Sequence, residues 1–179
     1  MRVRDHLVLS TAAAAMLRPV VGRRALGLWA GSVLIDADHY LWFCLRQDRL
    51  SPAAAIRYFN GANVPRHPAM RMLHTPFALL AVLLIAAWQR ALLPVAVGMS
   101  AHVALDAHYE ARMDQARAAA LARDKFACQS CGAAGPYLGT HIQRQPWVLP
   151  SYDAQNLISL CNRCHELEHT HGAGPGSWS

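Results

Sequence analysis

Two close cysteine pairs, Cys128-x-x-Cys131 and Cys161-x-x-Cys164, carry the most specific chemistry in this chain. Residues 132–160 separate them. Thiolates at that spacing form two knuckles that close a tetrahedral zinc site, and four of them leave the ion no open position, so the zinc expected here is structural. Zinc thiolates also require a reducing compartment. The fifth cysteine, Cys44, stands apart in an apolar stretch and reads as a core residue.

A second set comprises His6, Asp36, Asp38, His39, His74, His102 and Asp106, ionisable groups set into otherwise apolar segments. Burying such groups without partners is costly. Imidazoles and carboxylates together suit zinc or another divalent ion, which neutralises the carboxylates and lowers the pKa of a bound water. His102 and Asp106 are four apart and share one helix face. Taken singly, each of these residues also fits a satisfied core group or a cap, as Asp5 does ahead of the first apolar segment.

The elements that must hold this set in place are helices. Ala, Leu and Met dominate four apolar segments bracketed by charge: Asp5 to Arg18, Ala25 to Leu45, Arg71 to Arg90, and Ala91 to Leu105. Pro94 falls in the first turn of the fourth, where proline is tolerated. His6 starts segment one, Asp36-Ala37-Asp38-His39 lies towards the end of segment two, His74 starts segment three, and His102 with Asp106 ends segment four. In an up-and-down bundle, alternating directions bring all of them to one end. Residues 108–125 predict a polar, Ala-rich connecting helix.

The composition agrees. Of the 179 residues, 54% are hydrophobic and 16% charged, which excludes a disordered chain, and the five cysteines are too few for a disulfide scaffold. The formal net charge of +6 is unevenly placed. Residues 123–179 balance Arg123, Lys125, Arg144 and Arg163 against Asp124, Asp153, Glu166 and Glu168, so the whole excess belongs to the apolar part. It reads as an arginine fringe on a membrane bundle, not as a phosphate-binding surface. The fringe is richest at the His/Asp end, which the positive-inside rule places in the cytoplasm.

The first part resembles the predicted membrane-bound, metal-dependent hydrolases. The matching pieces are Asp5-His6-Leu7, Val33-Leu34-Ile35-Asp36-Ala37-Asp38-His39-Tyr40, Leu73-His74-Thr75-Pro76, and Gly98 through Asp106 with His102 between them. The third piece departs from the family, because Ala69-Met70-Arg71-Met72-Leu73-His74-Thr75 lacks the motif's first histidine. The resemblance implies a helical membrane domain with a His/Asp metal site.

The last part resembles the HNH nucleases over about residues 120–171: the two cysteine pairs, Thr140-His141-Ile142, Asn156, Cys164-His165 and His169. That resemblance implies a ββα-metal unit with one divalent ion, Mg, Mn or Zn. His141 would be the general base and Asn156 the residue holding its loop. His165 and His169 would be metal ligands. Thr140 stands where the family usually carries a ligand, and Asp153 is a candidate replacement.

The fold expected is therefore mainly α: a four-helix, membrane-type bundle over 1–110, a helical linker over 111–122, a small zinc-stabilised HNH-like module over 123–171, and a tail over 172–179. The function expected is metal-dependent hydrolysis, with nucleic acid as the substrate if the HNH-like module carries it. Two alternatives stay open. Hydrolysis could belong to the bundle site with the zinc module as accessory, or both sites could be degenerate in a membrane-anchored interaction protein.

Overall fold

The computed structural model describes residues 3–59, 68–144 and 152–170; for Val3, Arg4, Pro68, Ala69, His169 and Thr170 it describes the backbone alone. The tail 172–179 lies outside the described residues. The chain is mainly helical, with one small sheet, and divides into two compact units, Met1–Ala107 and His108–Ser179.

The first unit contains α1 (Val3–Val21), α2 (Arg24–Leu34), α3 (Ala37–Gln47), α4 (Pro52–Phe59), a 3₁₀ segment (Pro68–His74), α5 (Pro76–Trp88) and the start of α6 (Leu93–Arg123). The second apolar segment is thus two helices, broken at Ile35–Asp36, which turns the chain where the Asp-x-Asp-His piece sits. Thr75 starts α5: its extended backbone lets its hydroxyl accept the Ala78 N–H at 3.2 Å, and Pro76 needs no donor there.

Small residues set the approach of α2 to α6. A Cβ built on Gly31 would lie 2.0 Å from the Val95 carbonyl oxygen, and one on Gly98 would lie 2.1 Å from that of Leu28. Only glycine lets the two backbones come this close. α1 packs on α2, where the buried hydroxyls of Ser10 and Ser32 share a 2.7 Å hydrogen bond.

The exposed surface of α5 is apolar. α5 reads Pro-Phe-Ala-Leu-Leu-Ala-Val-Leu-Leu-Ile-Ala-Ala-Trp without a charge, yet only Ala86 of it is buried. Phe77 is 83% and Trp88 85% exposed, and Leu80, Leu83, Leu84 and Ile85 are exposed with them. The stretch Arg90–Arg123, which contains α6, is the one helix among the described residues that is long and apolar enough to cross a membrane.

α6 runs unbroken through the boundary between the units. Its last turns belong to the second unit: Met113, Ala116 and Ala120, at helical spacing, form a buried core with Leu157, and Tyr109, Ile142, Tyr152 and Ala154 pack around it. The stretch expected as a linker is therefore a core element. The rest of the unit is β1 (Leu138–Ile142), a 3₁₀ turn (Ala154–Asn156), β2 (Leu157–Cys161) and α7 (Asn162–Thr170). The strands pair antiparallel, with His141 opposite Ile158 and Thr140 opposite Ser159.

Candidate metal centres

Each group of the His/Asp set reaches the centre from a different piece of the first unit. α1 supplies His6, the α2–α3 turn supplies Asp36, α3 supplies Asp38 and His39, the 3₁₀ segment supplies His74, and α6 supplies His102 and Asp106. Three overlapping trios have donor atoms within 4.8 Å of one another: His6, His102 and Asp106; Asp36, His74 and His102; Asp38, His39 and His74. All seven sequence candidates are thus brought together.

His102 is fully buried at the middle. Its ring stacks on His6 with centroids 3.8 Å apart. Its Nδ1 lies 2.7 Å from the Ser32 carbonyl oxygen, which can only accept, so Nδ1 carries the proton. Nε2 then faces inward, 3.3 Å from His74 Nε2, 3.5 Å from Asp36 Oδ1 and 3.7 Å from Asp106 Oδ2. With the proton on Nδ1, that Nε2 holds a lone pair facing His74 and the two carboxylates.

Asp106 also receives His6 Nε2 at 2.9 Å and Arg71 at 3.5 Å. Asp36 occupies the position before α3 where a carboxylate usually caps the helix, but makes no capping hydrogen bond and faces His74 at 3.3 Å instead. Asp38 accepts the His39 N–H at 2.7 Å and the Leu73 N–H at 2.9 Å, and lies 2.6 Å from His39 Nδ1 and 3.4 Å from His74 Nδ1. His6 Nδ1 is buried without a hydrogen-bond partner among the described residues.

Imidazole nitrogens and carboxylate oxygens converging on one buried spot, with His102 and His74 each tied at Nδ1 to an acceptor, fit a divalent cation.

In the second unit the donor atoms of Cys128, Cys131, Cys161 and Cys164 lie within 4.8 Å of one another. Cys131 Sγ and Cys161 Sγ are 3.8 Å apart. A tetrahedral zinc with Zn–S bonds of about 2.3 Å has sulfur–sulfur edges of roughly that length. The first knuckle is shaped by its backbone: Gly132 N–H donates to Cys128 O and Cys128 N–H to Ala133 O, both at 2.8 Å, and Gly132 takes φ +75°, which glycine adopts without strain. The second uses the end of β2 for Cys161 and the first turn of α7 for Cys164. Burial opposes ionisation of Cys128, but backbone N–H groups of the two knuckles outweigh it and bring its thiol down to about 6.

Beside the thiolates, the His141 and His165 rings meet edge to face with centroids 5.2 Å apart. Gly139 lies on the same strand face as His141, and a Cβ there would be 3.9 Å from His165 Nδ1. Alternation along β1 turns Thr140 to the other face. Asn156 clasps the chain just past His141: its Nδ2 donates to Arg144 O and its Oδ1 accepts the Arg144 N–H, both at 2.8 Å. The Asp153 carboxylate caps the turn that holds Asn156, accepting the Gln155 N–H at 2.9 Å. The His169 side chain lies outside the described residues.

No protein-family model matches the chain, and comparisons with curated proteins and with solved structures find no match.

Some contributors left no mark in the sequence. The Ser32 carbonyl and the Leu73 N–H orient the His/Asp set, but backbone groups carry no residue code. Arg71 does carry a signal, since it interrupts the third motif of the first part, and it stands beside Asp106.

Proposed function

We propose that the protein is a membrane-associated, metal-dependent hydrolase whose second unit is an HNH-type ββα-metal module that cleaves nucleic-acid phosphodiesters. The observation that carries this is the Asn156 clasp on Arg144 beside the facing His141 and His165 rings. It supports a general-base role for His141, whose strand exit is fixed by a side chain from the neighbouring turn. His141 takes the proton of the attacking water. His165 and His169 hold the divalent ion, which supplies charge stabilisation at the phosphate and the leaving oxygen. The four cysteines hold a structural zinc that joins the two ends of the module.

A second reading places hydrolysis at the His/Asp centre of the first unit, with the zinc module as accessory. The meeting of seven groups from five pieces of the first unit in three overlapping trios favours it. Both readings put the first unit in a membrane, supported by the uncovered apolar surface of α5. The arginine excess then directs the His/Asp end to the cytoplasm.

Plasmid nicking with Mg²⁺, Mn²⁺ or Zn²⁺ tests the choice. The nuclease reading expects cleavage by the wild type, a loss of about 100-fold or more in His141→Ala, and little change in His102→Ala. Loss confined to His102→Ala transfers the chemistry to the first unit. No cleavage with any of the three metals removes the nuclease reading.

A further inference from the structure

The hairpin of α3 and α4 packs one side and exposes the other. We propose that the exposed side is a docking surface for anionic membrane lipid, with its arginines among the headgroup phosphates and its aliphatic side chains at the start of the acyl chains. This rests on the reading that the first unit is membrane-associated. It adds the element that meets the headgroups and the charge of the lipid it selects.

The packed side is aromatic. Phe43 is buried on α3, and its ring centroid lies 5.5 Å from that of Tyr58 and 6.3 Å from that of Phe59 on α4. Trp42 meets Tyr58 at 6.1 Å. The connection is tied back to α3 by the Tyr40 hydroxyl, which donates to the Leu50 carbonyl at 2.6 Å.

The exposed side alternates aliphatic and cationic groups. Leu41 and Leu45, four apart on α3, are both exposed, Leu45 at 76%. Leu50 in the connection is 81% exposed, and Ile56 on α4 is exposed as well. Three exposed arginines each stand next in sequence to one of these: Leu45-Arg46, Arg49-Leu50 and Ile56-Arg57. From Leu41 to Phe59 these three arginines face one acidic residue, Asp48, for a formal charge of +2.

Charge and length together choose the partner. An arginine stem lies along apolar surface while its guanidinium reaches a phosphate, so each Leu–Arg or Ile–Arg step matches the boundary between acyl chain and headgroup. Basic and aliphatic residues combined in this way are what holds a helix on an anionic bilayer surface. The helices lie on the bilayer and do not cross it. With 11 and 8 residues, α3 and α4 are about 16 and 12 Å long, against roughly 30 Å of hydrocarbon. α5 is the contrast, because it carries no charge and so has nothing with which to select a headgroup. The hairpin also borders the His/Asp centre: His39, partly exposed, meets Phe59 edge to face at 5.6 Å. Docking the hairpin therefore holds the rim of that centre near the headgroups.

The test uses the full-length, zinc-loaded protein in vesicles of equal parts phosphatidylcholine and phosphatidylglycerol. A photo-crosslinking benzoylphenylalanine replaces Leu45 in one sample and Phe77 of α5 in another, and mass spectrometry identifies the adducts. At position 45, phosphatidylglycerol adducts should exceed phosphatidylcholine adducts by about threefold or more. At position 77 the ratio should stay near one. Arg46→Gln, Arg49→Gln and Arg57→Gln together should bring the ratio at position 45 down to that of position 77. If this triple variant does not fold, about 0.5 M salt on the otherwise unchanged protein should at least halve the preference.

Equal labelling of the two lipids at position 45 overturns the proposal. So does a preference that survives the triple variant, or that survives salt where the variant does not fold. Adducts at position 45 to a second copy of the chain overturn it by making the face a protein interface. Lipid adducts at position 77 with none at position 45 overturn it by leaving the hairpin in water. Absence of lipid adducts at both positions removes the membrane reading itself, a different failure from the others.

Discussion

The two candidate metal centres draw their groups from very different distances along the chain. In the first unit, residues as far apart as His6 and Asp106 meet only because α1, α2, α3, the 3₁₀ segment and α6 have already packed. In the second unit, four cysteines from two short knuckles meet around a small sheet whose buried cluster contains one of them, Cys128, with Ile158 and Leu160. One centre is gathered by packed helices from across its unit, and the other by two short knuckles on one small sheet. The difference is one of size as well as sequence distance, because a small module has little apolar area with which to offset its chain entropy.

The sharpest break of that comparison is at the cysteines. Zinc-binding free energies of small structural sites are on the order of 10–16 kcal/mol, comparable with or above the stability of a whole domain. Cys161→Ser, or stripping zinc with a chelator, should therefore unfold the second unit outright. Its backbone amide signals should collapse and trypsin should cut within residues 124–170. Mn²⁺ binding by the first unit should change by less than about twofold. A second unit that keeps its native amide signals without zinc would show that it folds as the first does, from packing alone.

The sequence was most informative where chemistry is carried by side chains at fixed intervals. Cys128-x-x-Cys131 and Cys161-x-x-Cys164 could be paired on spacing, and His6, Asp36, Asp38, His39, His74, His102 and Asp106 stood out as ionisable groups inside apolar segments. It was least informative where one residue does two jobs or where backbone does the job. Asp38 and Asp36 look alike in Asp36-Ala37-Asp38-His39, and only the direction of the Leu73 N–H separates them. The stretch 111–122 is Ala-rich and polar and reads as a connection. Met113, Ala116 and Ala120 are nonetheless core, because small side chains let the sheet approach closely. A stripe of alanines carries too little hydrophobic signal to announce that.

A smaller effect tests the other half of the comparison. Gly31 lies one residue before Ser32, whose carbonyl fixes His102, and Gly98 lies one turn before His102 on α6. Gly31→Ala would drive a methyl group into the Val95 carbonyl, 2.0 Å away. α2 and α6 must then separate, at a cost of roughly 1–3 kcal/mol for overpacking of this kind. The His102 Nδ1 hydrogen bond should lengthen with it. Mn²⁺ affinity should fall at least tenfold, while the second unit keeps its zinc and its amide signals. Unchanged Mn²⁺ affinity in a folded Gly31→Ala protein would mean that the centre organises its own surroundings.

The smallest effect concerns what packing adds to the zinc module. Arg123 ends α6 with its guanidinium on both oxygens of Asp124, at 2.7 and 2.8 Å, and on the Ala154 and Leu157 carbonyls, both at 2.7 Å. Asp124 in turn accepts the Ser159 N–H at 3.0 Å, so this pair ties the helix end to β2. The guanidinium beside Asp124 and that N–H hold its carboxyl below the usual carboxylate range. A carboxyl with a lowered folded-state pKa stabilises the protein above its unfolded value, about 3.9, and that contribution disappears as pH falls through the folded value. Asp124→Asn should therefore cost about 1 kcal/mol at pH 7, a modest figure because Arg123 is half exposed and screened. The cost should shrink toward zero below about pH 4. Acid also releases zinc from thiolates, in variant and wild type alike. The quantity to follow is thus the difference between their urea midpoints across pH, not either midpoint alone. A difference that stays constant from pH 7 to pH 3 would show that the Arg123–Asp124 pair contributes through shape and not charge.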